Sequence, residues 1–126
     1  MPLDLDEMNK IAETWIELYR RPDNSTEREE RFWSHDRLWE LIQDDPETAW
    51  NIIQIISREG SYLIRSNLAA GPLEDLLVAH GDRFIDRVEA LAERDARFRK
   101  LLGATWQNSM PELLWSRIKA VAGPSW

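Results

Sequence analysis

The chain has 126 residues, 43% apolar and 31% charged, which fits one folded domain and excludes a disordered chain. With no cysteine it has no disulfide framework, no thiolate nucleophile and no thiolate metal site. Its net charge of −7 is lopsided: residues 1–60 carry 15 acids against 7 bases, and residues 61–126 carry 8 against 9.

The first predicted helix runs from about Asp4 to Arg20. Asp4 and Glu7 form an Asp-x-x-Glu start, and Leu5, Met8, Ile11, Ala12, Trp15, Leu18 and Tyr19 share one face. Pro22 and the polar run Asp23-Asn24-Ser25 end it. The second helix begins near Thr26, with Glu29 as its capping-box partner. Phe32, His35, Leu38, Trp39 and Ile42 fall on one arc. Trp33 lies about 100° away, among Glu29, Glu30, Asp36, Arg37 and Glu40.

Asp44-Asp45-Pro46-Glu47 is a helix start, an aspartate cap with proline at the first helical position. The helix to about Arg58 is apolar over most of its circumference, which places it at the centre of the fold. A short helix from Tyr62 to about Ala69 follows Gly60-Ser61. Gly71-Pro72 then breaks or kinks the pattern. The next helix runs to Ala79 and stops at His80-Gly81. Asp82 caps another, in which Phe84, Ile85, Val88, Leu91 and Ala92 point inward. Asp95 to Leu102 makes one more, ended by Gly103. Ser109 and Glu112 predict a capping box for the last helix, which carries Met110, Leu114, Ile118 and Val121. No segment alternates like a strand. The class is therefore all-α, a single domain over residues 1–126 with six to seven short helices. They form either an irregular bundle or a short α-solenoid-like stack.

Four of the seven tryptophans (Trp15, Trp39, Trp50 and Trp115) lie at or beside apolar stripes and read as core. Trp33, Trp106 and Trp126 do not, and exposed tryptophan is a common interface anchor. There is no glycine-rich phosphate loop, no Gly-x-Ser-x-Gly elbow and no His-Glu-x-x-His. His35 and His80 sit on apolar faces and read as packing residues. Glu74 and Asp75 diverge from His80 by about 120° and 140° around one helix, which argues against a metal site. No cofactor is expected. Arg94, Arg97, Arg99 and Lys100 cluster around Phe98 and suit a phosphate or an acidic partner. The interspersed Glu93 and Asp95 make a salt-bridged, solvated face the plainer expectation.

The string Leu68-Ala69-Ala70-Gly71-Pro72-Leu73-Glu74-Asp75-Leu76-Leu77, followed by His80-Gly81, resembles the core of a family of small bacterial proteins of unknown function. Asp45-Pro46-Glu47 with Ala49-Trp50, and Phe98-Arg99-Leu101-Leu102-Gly103 with Trp106, fit the same pattern. The resemblance spans roughly residues 30–120 and implies a bacterial cytoplasmic protein. It brings no activity with it.

No stretch approaches the roughly 20 apolar residues that cross a bilayer, so no membrane partner is expected. The acidic start MPLDLDEMNK is unlike a secretion signal, which again points to the cytoplasm. An acidic surface repels polyanions, so nucleic acid is not an expected partner either. The leading expectation is a non-catalytic interaction domain, such as an immunity-type partner that neutralises a basic protein. Its binding residues would be Trp33, Glu29, Glu30, Asp36 and Glu40. The alternative is a small hydrolase or ligand-binding protein with a groove lined by Arg65, Asn67, Glu74, Asp75 and His80. That reading requires a concave pocket there and a carboxylate with a raised pKa.

Overall fold

The computed structural model describes residues 3–21 and 25–126. The expected stop at Pro22-Asp23-Asn24 lies outside the described residues. The described chain is all-α, with no strand among those residues. Helix α1 spans Leu5–Arg20, α2 Thr26–Arg31, α3 Trp33–Asp44, α4 Pro46–Ser57 and α5 Tyr62–Leu68. A π-helical segment, Ala69–Leu73, joins α5 to α6 (Glu74–Arg94); α7 is Ala96–Leu102 and α8 Glu112–Val121.

The starts follow local chemistry. Asp4 accepts from the Glu7 amide at 2.8 Å, and Ser25 from the Arg28 amide at 3.1 Å. Asp45 caps α4 twice, through the Thr48 amide at 3.3 Å and the Thr48 hydroxyl at 2.7 Å. Asp95 receives the Arg97 and Phe98 amides at 2.9 and 3.2 Å and so ends α6 and starts α7 together. The final helix departs from expectation. Its cap is Pro111, whose ring offers no hydrogen-bond acceptor, and Ser109 lies outside the helix.

Two other boundaries differ from the sequence reading. The expected second helix is interrupted at Phe32, so α2 and α3 are separate. Conversely, Gly71-Pro72 does not stop the chain. Proline inside an α-helix loses a hydrogen bond and clashes with the carbonyl four residues back. The wider π turn gives that ring room, and the chain continues into α6. The break expected at His80-Gly81 survives as a kink: His80 has φ −139° and ψ 27°. Gly81 belongs there because a side chain would collide with Leu114 of α8.

Buried side chains from α1, α3, α4, α5, α6, α7 and α8 form one continuous core. In α4, Ala49, Trp50, Ile52, Ile53 and Ile56 are all buried, as its apolar circumference implies. Packing is not confined to sequence neighbours: α1 meets α3, α4 and α5, while α6 meets α3, α4, α7 and α8. A solenoid repeat touches only its neighbours, so this is an irregular bundle. No helix among the described residues is long and apolar enough to cross a membrane.

Ion pairs lace the outside of the bundle. Arg117 of α8 reaches Glu89 at 2.6 Å and Asp86 at 2.8 Å on α6. Glu47 on α4 accepts from Arg87 at 2.6 Å and from Arg83 at 3.0 Å. Those bonds, led by the one from Arg87, hold the Glu47 carboxyl at about 2 instead of 4.5. A carboxyl depressed by folding contributes stability that is complete above about 4.5 and lost as the pH falls through about 2. The site is exposed, so the contribution is no more than about 1 kcal/mol. Urea unfolding of the wild type and Glu47→Gln is expected to differ by that amount at neutral pH and to converge near pH 2.

Candidate functional site

The α2–α3 corner carries the five residues chosen from sequence for binding. Glu29 and Glu30 are exposed on α2, and Trp33, Asp36 and Glu40 are exposed on α3. Trp33 is 42% exposed and lines a shallow groove of about 320 Å³ with Leu3, Lys10, Ile11 and Arg37. Its indole thus forms one wall of an apolar notch between α1 and α3. The surrounding acids are only lightly neutralised: Glu40 sits 3.7 Å from Arg37, and Asp36 3.4 Å from His35.

Trp39 corrects the sequence reading. It is 53% exposed, not part of the core, and Phe32 is exposed with it. The buried set of α3 is Ser34, Leu38, Leu41 and Ile42, which leaves Trp39 on the flank of the helix. Phe32 stacks on the His35 ring at 4.8 Å. The corner therefore presents three large aromatic side chains, not one.

Among the described cavities, none is lined by more than one residue of the second candidate set. Glu74 is buried; its Oε1 accepts from the Trp106 amide at 2.6 Å and its Oε2 from Asn108 Nδ2 at 2.7 Å. Burial raises the Glu74 pKa against the pull of those two donors. Both oxygens thus serve to pin the loop after α7 onto the start of α6. His80 Nε2 lies 2.7 Å from the Ile42 carbonyl, which fastens the α6 kink to the end of α3. Asn67 donates to the Leu63 carbonyl one turn back at 2.8 Å. Asp75 projects outward, with a pKa raised by partial burial and lowered by nearby His35. Arg65 is buried elsewhere, and it alone of the five lines a sizeable cavity at the other end of α5.

That cavity, of about 590 Å³, lies between the start of α5, helix α7 and the final residues. Its functional side chains are Tyr62, Arg65, Arg99, Lys100 and Trp126. Trp126 stacks on Tyr62 at 5.0 Å and donates its indole N–H to the Lys100 carbonyl at 2.7 Å. The Gly123 amide adds a bond to the Arg99 carbonyl at 2.9 Å. The final segment lies so close to Gly103 that a side chain there would strike the Pro124 and Gly123 carbonyls. The sequence located the basic cluster, but its salt-bridged reading does not hold here. Arg97 donates to the Arg58 carbonyl, and Arg99 to the Ala92 and Glu93 carbonyls. Among the described residues, Arg65, Arg97, Arg99 and Lys100 have no carboxylate within ion-pair distance.

Fold and surface together define a small irregular helical bundle, with an acidic aromatic corner on one side and a basic aromatic cleft on another. No group of three metal-ligating side chains occurs among the described residues. The chain belongs to a family described as of unknown function, DUF6869, whose match covers residues 21–125. No curated protein and no solved structure matches it.

Proposed function

We propose that this protein is a non-catalytic interaction domain that binds, and thereby neutralises, a basic protein in the bacterial cytoplasm, in the manner of an immunity protein. The observation that carries the reading is the α2–α3 corner. There Trp33 stands half-exposed over an apolar notch, with Glu29, Glu30, Asp36 and Glu40 exposed around it. Such an aromatic anchor inside a charged rim is the anatomy of an interface hot spot. The acids steer a cationic partner and set orientation, while the indole and notch supply the buried area. Hydrolysis at Glu74 is the weaker reading, because both of its carboxyl oxygens already accept hydrogen bonds from the protein.

The test is affinity capture from the native host, with wild type and Trp33→Ala run in parallel and bound proteins identified by mass. The expected result is one basic protein at a stoichiometric ratio, released by salt and lost with the variant. Its affinity for purified Trp33→Ala should fall about thirtyfold, a hot-spot-sized loss. The variant's unfolding free energy should change by no more than about 1 kcal/mol. Undiminished capture by Trp33→Ala would remove this corner from the interface.

A further inference from the structure

We propose that the cleft formed by Tyr62, Arg65, Arg99, Lys100 and Trp126 binds a small organic anion bearing a planar ring. The proposal is independent of the interface on α2 and α3, which uses none of these residues.

The charge of the cleft is anomalous for this chain. The protein carries −7 overall, yet no acidic side chain lines this cavity. Arg65 and Arg99 direct their guanidinium groups at main-chain carbonyls, and among the described residues no side-chain carboxylate stands within ion-pair distance of either, Asp95 acting on Arg65 only from further off. Cations placed at helix C-termini offset the helix dipole, and that accounts for Arg65 and Arg99 at the ends of α4 and α6. It does not account for Lys100, an exposed residue that lines the cavity with no side-chain carboxylate within ion-pair distance among the described residues. Nor does it account for the rings. Tyr62 is 72% exposed and Trp126 40% exposed, stacked on each other with 26° between their planes. Held by the Lys100 carbonyl, Trp126 is a fixed aromatic wall beside fixed positive charge. A volume of about 590 Å³ is in the range of small-molecule sites, which pair apolar walls with a few placed charges. The ring of the ligand would lie against Tyr62 and Trp126 while its carboxylate or phosphate faces Lys100 and Arg99.

The experiment uses benzoate and phenyl phosphate, which share a ring and differ in head group. Each is titrated into the full chain while the Trp126 indole N–H resonance is followed by NMR. Saturable movement of that signal with either probe is expected, and the ratio of the two affinities identifies the head group. Inorganic phosphate and phenol should each bind at least about tenfold more weakly than the matching aryl anion, because each keeps only half of the recognition. Lys100→Gln should weaken aryl-anion binding about tenfold while leaving the unfolding transition in place. No saturable movement at millimolar probe would overturn the proposal. So would unchanged affinity in Lys100→Gln, or equal binding of inorganic phosphate and phenyl phosphate. Binding here with Trp33→Ala as tight as wild type separates this site from the α2–α3 interface.

Discussion

Replacing Trp50 with alanine is expected to lower the unfolding free energy by about 3–5 kcal/mol, the largest single loss in the molecule. Trp50 is 5% exposed and stands at the junction of three helices. Its ring lies 5.9 Å from Phe84 of α6, tilted, and 5.9 Å edge-on from Phe98 of α7. Alanine removes both aromatic contacts and leaves a void that α4 cannot close, being held by Asp45 at one end and packed along its length. Thermal and urea unfolding followed by far-ultraviolet circular dichroism would measure this, with a fall in midpoint of roughly 10 °C or more. A cost below about 1 kcal/mol would mean that the three helices do not meet on this ring.

Arg65→Met is expected to cost about 3 kcal/mol, for a different reason. The guanidinium sits in the interior, where burial and neighbouring Arg97 pull its pKa down. It donates to the Ser57 carbonyl at 2.5 Å, to the Glu59 carbonyl at 3.5 Å and to the Arg97 carbonyl. Replacing a buried charge with an apolar side chain of similar length can be neutral when nothing is left unpaired. Here the carbonyls of Ser57, Glu59 and Arg97, in part-buried positions, lose their donor together, and that cost dominates. Arg65→Lys keeps the charge but has a single ammonium in place of a planar fork. It cannot span Ser57 and Arg97 together, so less than half of the loss should be recovered. Denaturant unfolding of the two variants decides the matter, and lysine performing as well as arginine would show that the fork is dispensable.

These two residues also mark how far the sequence could be read. Trp50 was legible: it follows an Asp-Pro start on a helix with apolar residues all round, and only a central position satisfies such a helix. The break at Phe32 was not legible, since that residue offers no glycine, proline or capping side chain. An unbroken helix puts Trp39 and Phe32 on one arc with Leu38 and Ile42, whereas α3 buries Ser34 and Leu41 beside Leu38 and Ile42. Among the charged residues, the difficulty is range. Glu74 stands in the first turn of α6, where the helix dipole alone favours an acid, but its donors are Trp106 and Asn108, 32 and 34 residues away. Arg99 looked like a partner for Glu93 and Asp95, yet it bonds the Ala92 and Glu93 carbonyls where α6 ends. The exposure of Trp33 and its neighbouring acids is legible, because a tryptophan off the apolar arc is a local signal. The basic cleft was only half found, because Tyr62 and Trp126 meet across most of the second half of the chain.

The π-helical segment gives residues 62–94 an unusual property. Ala69–Leu73 inserts an additional residue into a helical run that is otherwise unbroken from Tyr62 to the His80 kink. One residue corresponds to about 100° of rotation, so the apolar stripes before and after it are out of phase by roughly that angle. The upstream stripe, with Ile64 and Leu68, is thereby aimed at α1 and α4. The downstream stripe, with Leu76, Phe84 and Val88, is aimed at α3, α4, α7 and α8. One helical run thus reaches α1 before the phase change and α3, α7 and α8 after it, with central α4 packed against both parts. Pro72, the residue that ordinarily ends a helix, holds the phase change in place.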